Sequence, residues 1–440
     1  DGNVRAVERL LAEGADPNQA ADRYGTTPLH IAAEKGHAGV VGILLKSGAE
    51  PDEARTDDGE TPCYVAAQEG HAEVVELLLA RKADPNKADN SGATPCSIAA
   101  LNGHAAVVEL LLDKGADPNK ATNNGFTPCY FAAQNGHLGV VELLLAKGAD
   151  PNKATNNGFT PCYAAAEQGL AGVVELLLAK GADPNKATTD EGDGWGGGFT
   201  PCYVAAQQGH AGVVELLLDK GADPNIADVY GQTPCYIAAR YGHLGVVAAL
   251  LAAGADPNKA RTKDGSTPLH IAAQEGHVVA RRTGAADVIL KLLLDKGADP
   301  NKAKTDTGAT PLCIAAHWGN EYMVRLLLDK GADPKEANIY GETPCWIAAN
   351  RGRAFMVKRL LDNGADPNEA RTDDGTTPCY VAADKGHAEV VEVLLDNDAE
   401  LDTANNKGET PCYVAAQQGH ARVVKLLLDK GADPNKATTD

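Results

Sequence analysis

Residues 123–152 carry two short apolar stripes separated by polar, glycine-containing breaks. The first stripe, Cys129, Tyr130, Phe131, Ala132 and Ala133, follows Thr127-Pro128. A threonine hydroxyl caps a helix start, and proline suits the first helical position, where its missing N–H is harmless. The Ala132-Ala133 pair keeps this predicted helix thin enough for close packing, and Gly136 offers a left-handed end from which the chain reverses. A second helix is predicted from the spacing of Val140, Val141, Leu144 and Leu145, with Glu142 and Lys147 left to solvent. Gly148 stops it, and the polar run from Asp150 to Gly158 reads as a short exposed turn into the next copy.

The same pattern returns throughout the chain. A Thr-Pro pair begins at Thr27, Thr61, Thr94, Thr127, Thr160, Thr200, Thr233, Thr267, Thr310, Thr343, Thr377 and Thr410, and the steps between neighbours are 33 or 34 residues except for two of 40 and 43. Such a period means one small element stacked many times, each copy burying its apolar face only against its neighbours. With no linker-like stretch, residues 1–440 read as a single domain. It comprises a truncated repeat over 1–21 and twelve Thr-Pro repeats over 22–440.

Helix, turn, helix and projecting loop in about 33 residues, with Thr-Pro-Leu-His at Thr27 to His30 and Thr267 to His270, resembles the ankyrin repeat. Ala-Ala, Gly-His, the Leu-rich stretch and Gly-Ala-Asp-x-Asn recur in register with Thr-Pro over the whole chain. The resemblance implies an all-α, curved solenoid with hairpin-like finger loops, whose first helices line a concave face that binds other proteins, and no catalytic residues. Three departures recur. Seven repeats replace Leu-His by Cys-Tyr, as at Tyr64 and Tyr130, which puts the family's histidine hydrogen bond in question there. Proline follows the finger aspartate, as at Asp150-Pro151, and disfavours strand pairing. Gly-His becomes Gly169-Leu170, Gly319-Asn320 and Gly352-Arg353.

The formal charge of −20 disfavours nucleic acid and anionic lipid as partners, and no apolar run is long enough to insert in a membrane. Nine of the ten cysteines directly follow the repeat proline, with Cys313 one place later. Equivalent positions on stacked helices lie about 8 to 10 Å apart, too far for a disulfide. They read as buried filling in a reducing, cytoplasmic compartment, with one sulfur per repeat and hence no metal site or other cofactor. The Gly-His histidines occupy one structural place and read as structural.

Specific function is sought where repeats differ. In ankyrin proteins contact residues lie at the finger tips and at the two positions before Gly-His. Mapped here, these give Arg23 and Tyr24, Val229 and Tyr230, Arg240 and Tyr241, His317 and Trp318, Ile339 and Tyr340, and Asn350 and Arg351. The stretch from Trp318 to Met356 also places Tyr322 and Phe355 at equivalent outward positions, among several arginines. Aromatics, Met and Arg favour interface centres. The candidate protein-binding residues are therefore Tyr230, Arg240, Tyr241, His317, Trp318, Tyr322, Tyr340, Arg351 and Phe355, with drift of two repeats as the alternative.

The 40-residue step holds an insertion over 188–198 with Trp195, read as an enlarged flexible finger; it lacks the phosphate-loop ending and the EF-hand spacing. The 43-residue step inserts 278–286, including Arg281 and Arg282, which either lengthens both helices by a turn or forms a basic bump. Both chain ends read as cut from a longer array. The expectation is a monomeric, noncatalytic scaffold for protein partners, or alternatively the targeting arm of a larger enzyme or channel.

Overall fold

The structure, a computed structural model, describes residues 3–189, 196–279 and 285–436, with the backbone alone for 276–279. Among these residues there are 25 helices and no strand. Trp195, Arg281, Arg282 and the last four residues lie outside them. The chain divides into two compact units, Asp1–Ile226 and Ala227–Asp440.

In the first unit, the helix Val4–Ala12 precedes six helix pairs, from Pro28–Glu34 with Ala38–Lys46 to Pro201–Gln208 with Ala211–Asp219. The pair built on Thr127 shows why the sequence folds this way. The Thr127 hydroxyl accepts the Tyr130 amide at 3.1 Å and Pro128 opens the helix Pro128–Gln134. Ala132 and Ala133 are fully buried, and their small side chains allow this helix to pack closely on its neighbours. In the second helix, Leu138–Ala146, Val140, Val141 and Leu144 are buried, Leu145 is half-buried, and Glu142 stays in water. Cys63, Cys96 and Cys129 are buried, which pushes their thiols up to about 12.

The second unit holds six pairs, from Pro234–Tyr241 with Leu244–Ala252 to Pro411–Gln417 with Ala421–Asp429. The insertion over 278–286 coincides with helices of 12 and 11 residues, Pro268–Val279 and Ala285–Asp295, where first and second helices elsewhere run to at most 8 and 9. Both helices flanking the insertion are thus longer than their counterparts, while residues 280–284, on which the alternative of a basic bump turns, lie outside the described residues.

Within each unit, polar side chains tie neighbouring repeats together. Asn152 in one finger donates to the Gly181 carbonyl at 2.9 Å and accepts the Asp183 amide at 2.7 Å. Asn86, Asn119, Asn258, Asn301 and Asn368 make the same two-point bridge. Gly-His histidines reach backwards: His137 Nε2 bonds the Leu101 carbonyl at 3.0 Å, and its ring lies where a Cβ on Gly103, at φ +79°, would come within 2.6 Å. Gly103 is thus fixed by both conformation and space. Adjacent fingers share a backbone bond, such as Asn156 N to Asn124 O at 3.1 Å, that the finger prolines leave intact.

The Leu-His position makes a third bridge. His270 Nδ1 lies 2.8 Å from the Thr267 hydroxyl and accepts the Thr267 amide, while Nε2 meets the Ala309 carbonyl at 3.2 Å and so carries the proton. Trp346 occupies the same place and reproduces the outward bond, Nε1 donating to Thr376 O at 3.0 Å. Tyr380 instead donates to Glu409 Oε2 at 3.0 Å, so the phenol changes the acceptor rather than losing the bond.

The junction between the Thr310 and Thr343 repeats lacks both the bridging asparagine and the Gly-His histidine. Lys335 stands where the bridging asparagine should be and keeps only its local turn bond to Asp333. Arg353 there replaces the Gly-His histidine of the next repeat, and its guanidinium carbon would lie 2.8 Å from a Cβ on Gly319.

Two tests follow from the bridges. Asn152→Ala should destabilise the first unit by about 1 kcal/mol and Lys335→Asn should stabilise the second by a similar amount, the net worth of a hydrogen bond. Urea midpoints of the helical signal read both, and two unchanged midpoints would remove the bridge from the stabilising interactions.

Burial, opposed by the bond to Ala309, holds the His270 pKa down to about 4, against about 6.5 in an unfolded chain. Because the unfolded state binds the proton first, this stabilisation is complete above pH 6.5. It is lost as pH falls towards 4, a change on the order of 3 kcal/mol. Replacing His270 by the Tyr of other repeats should flatten the acid side of the stability profile relative to wild type, and parallel profiles from pH 7 to 4.5 would contradict this assignment.

Candidate functional site

Four of the nine candidate residues meet in the second unit. The first helix of the Thr310 repeat, Pro311–Trp318, ends at Gly319, which leaves His317 and Trp318 on its last turn at the surface. Arg351 follows the matching helix Pro344–Asn350 as its C-cap. Its Nη2 lies 2.9 Å from His317 Nε2, and the His317 and Trp318 rings are edge-to-face at 5.2 Å. Burial and then the Arg351 charge hold the His317 pKa below its ordinary value, so the ring stays a neutral acceptor for the guanidinium.

Tyr340 reaches the same place from a finger. Asn338 Oδ1 accepts the amides of both Tyr340 and Glu342 at 3.0 Å, closing the turn. Gly341 sits at φ +78°, and a Cβ there would lie 2.5 Å from the Thr372 amide nitrogen, so only glycine fits. The tip is thereby fixed with Tyr340 47% exposed. His317, Trp318, Tyr340 and Arg351 line one groove of about 480 Å³, floored by Cys313, Ile314, Trp346 and Ile347. Burial raises the Cys313 pKa, which keeps the thiol protonated and removes it as a nucleophile at neutral pH.

The other five candidates lie elsewhere. Tyr230 is an exposed finger-tip residue whose carbonyl accepts the Thr262 amide at 3.0 Å. Arg240 stacks on Tyr241 at 5.7 Å near the end of Pro234–Tyr241, and neither lines the groove. Tyr322 and Phe355 are exposed on second helices, Glu321–Asp329 and Ala354–Asp362. The Tyr322 ring lies under Arg325 of its own helix at 5.4 Å. Their matching sequence positions therefore place them on equivalent helices without bringing them into the groove. In the first unit, Arg23 covers Tyr24 at 4.6 Å.

Sequence reasoning missed a second groove of about 600 Å³, which shares Glu342, Trp346 and Asn350 with the first. At its centre Arg371 pairs with Asp373 at 2.7 Å, Asp374 at 3.5 Å and Glu342 at 3.6 Å, and lies 5.5 Å from the Trp346 ring. A signal existed: Ala-Arg-Thr-Asp-Asp-Gly occurs at both Ala54–Gly59 and Ala370–Gly375, and Arg55 pairs likewise with Asp57, Asp58 and Glu60. Among the described residues no three His, Cys, Asp or Glu side chains cluster as metal ligands. No described helix is long and apolar enough to cross a membrane.

Comparison with known proteins identifies the architecture. A family model for ankyrin repeats, three copies long, matches nine overlapping stretches from 1–54 to 345–438. The crystal structure of the human ASB11 ankyrin repeat domain is similar at 28% identity, covering 53% of this chain and 100% of that one, with a TM-score of 0.47. A search of curated proteins finds no match. The repeated helix pairs, their bridging residues and the family match along the chain establish that it belongs to the ankyrin repeat family.

Proposed function

We propose that this chain is a noncatalytic scaffold that binds partner proteins on the face formed by its first helices and fingers. Ankyrin repeats are generally protein–protein interaction modules, and the observation that carries the reading here is the groove that gathers His317, Trp318, Tyr340 and Arg351. Its walls combine aromatic and arginine side chains with an apolar floor, the composition of an interface centre. Tyr322 and Phe355, on the second helices, are secondary to it. The ten cysteines are all free and buried, which supports work in a reducing, cytoplasmic setting, and the charge of −20 disfavours nucleic acid. Burial of the Cys313 thiol in the groove floor favours recognition over chemistry as its task. The chain is proposed to act as a monomer.

The test compares wild type with Trp318→Ala plus Tyr340→Ala, and with Tyr322→Ala plus Phe355→Ala, as baits in native lysate. Anchor aromatics are worth about 2 kcal/mol each or more, so the groove variant should lose its partners by at least about thirtyfold while the outer variant keeps them. Equal retention by all three baits would sink the reading.

A further inference from the structure

The two grooves of the second unit meet along Glu342, Trp346 and Asn350 and so form one channel. Its ends differ in charge. At one end the Arg351 guanidinium has a neutral imidazole as its neighbour and forms no ion pair among the described residues. A guanidinium stays charged at every working pH and offers a planar fork suited to a carboxylate. Lys304, the other cation there, is already held by Asp264 at 3.3 Å and Asp306 at 3.5 Å.

The other end is acidic. Glu342, Asp373, Asp374, Asp384 and Glu409 face three cations, Arg371, Lys385 and Lys407. Arg371 is divided among three of those carboxylates and Lys385 pairs with Asp384 at 2.9 Å, so negative charge remains in excess. Ile314 and Ile347 line the groove that holds Arg351, with Trp318 at its rim, and Trp346 lines both grooves.

We infer that the channel takes an extended peptide segment of a partner protein in which a carboxylate and an apolar side chain are followed by basic residues. The carboxylate pairs with Arg351, the apolar group fills the space above Ile314 and Ile347 beside Trp318, and the bases lie over Asp373, Asp374 and Asp384. Charge order supplies the specificity. A uniformly basic segment meets Arg351 and a uniformly acidic one meets the carboxylate end, and each such repulsion selects against the wrong partner. This inference rests on the proposed reading of the groove as a protein-binding site.

A random linear-peptide display library panned against the intact chain tests it. Wild type should enrich peptides with this charge order, and Trp318→Ala should not capture them. Arg351 is exposed, and Arg351→Glu should keep the helical signal and thermal midpoint of wild type. It should weaken the enriched peptides at least tenfold and, in a fresh selection, exchange the carboxylate for a basic residue. Asp373→Lys plus Asp384→Lys should remove only the basic preference. If the selected peptides need Trp318 but show no charge order, or keep it on Arg351→Glu, the inference is overturned while the groove stands as a protein-binding site. If no peptide depends on Trp318, the groove reading falls and the inference with it.

Discussion

Asn152 accepts the Asp183 amide and donates to the Gly181 carbonyl, and that two-point reach from one repeat into the next sets the terms for the rest of the structure. A helix leaves its last carbonyls without partners, and a helix pair of this size lacks the surface to hide its own apolar face. Both deficits are met by the neighbour. The finger asparagine binds polar groups at the end of the next second helix, and the Gly-His histidine binds a carbonyl on the last turn of the previous first helix. Ala132 and Ala133 allow the approach that makes these reaches short enough. Stability in such an array is a sum of repeat and neighbour terms, so the bridging residues are constrained more tightly than the surfaces they support.

Those constraints explain why the aromatic groove lies where it does. At the junction between the Thr310 and Thr343 repeats, Lys335 cannot bridge as asparagine does, and Arg353 replaces a histidine. The same junction carries Trp318 and Arg351 at the ends of adjacent first helices and Tyr340 on the finger between them. The backbone bond between fingers persists there, Ile339 N to Thr307 O at 2.9 Å, so the repeats stay in register. A ligand that lies across this junction touches both repeats and adds a neighbour interaction where the side-chain bridges are fewest. Binding at the proposed groove is thus expected to raise local stability through its position in the stack.

Much of the fold was readable because its signals are local. The Thr-Pro start, the Ala-Ala pair and the glycine ends are decided within a few residues, and the structure places each where the pattern does. The groove was only half readable. His317, Trp318, Tyr340 and Arg351 stand out as departures from the repeat, but so do Tyr322 and Phe355, and irregularity alone does not say which helix of a pair faces the fingers. Arg371 failed in the opposite way, because its recurring motif made it look generic although it lies against Trp346. The Trp346 bond to Thr376 spans 30 residues and closes only when the next repeat is in place, so a reading of one repeat at a time does not contain it.

The acidic character of the chain is less informative than its distribution. Asp264 is shared by Arg261 and Lys304, and Arg55 and Arg371 each pair with three carboxylates, so much finger charge is locally compensated. Such partly exposed pairs contribute little stability individually, but they remove cations from the supply available to a partner. Arg351 escapes this because the side chain across from it is histidine. A carboxylate at position 317 would form an ion pair and silence the guanidinium, whereas a neutral imidazole orients it and leaves its charge unspent. The residue opposite Arg351 therefore decides whether its charge is spent within the protein or left open at the surface, and the sequence has histidine there.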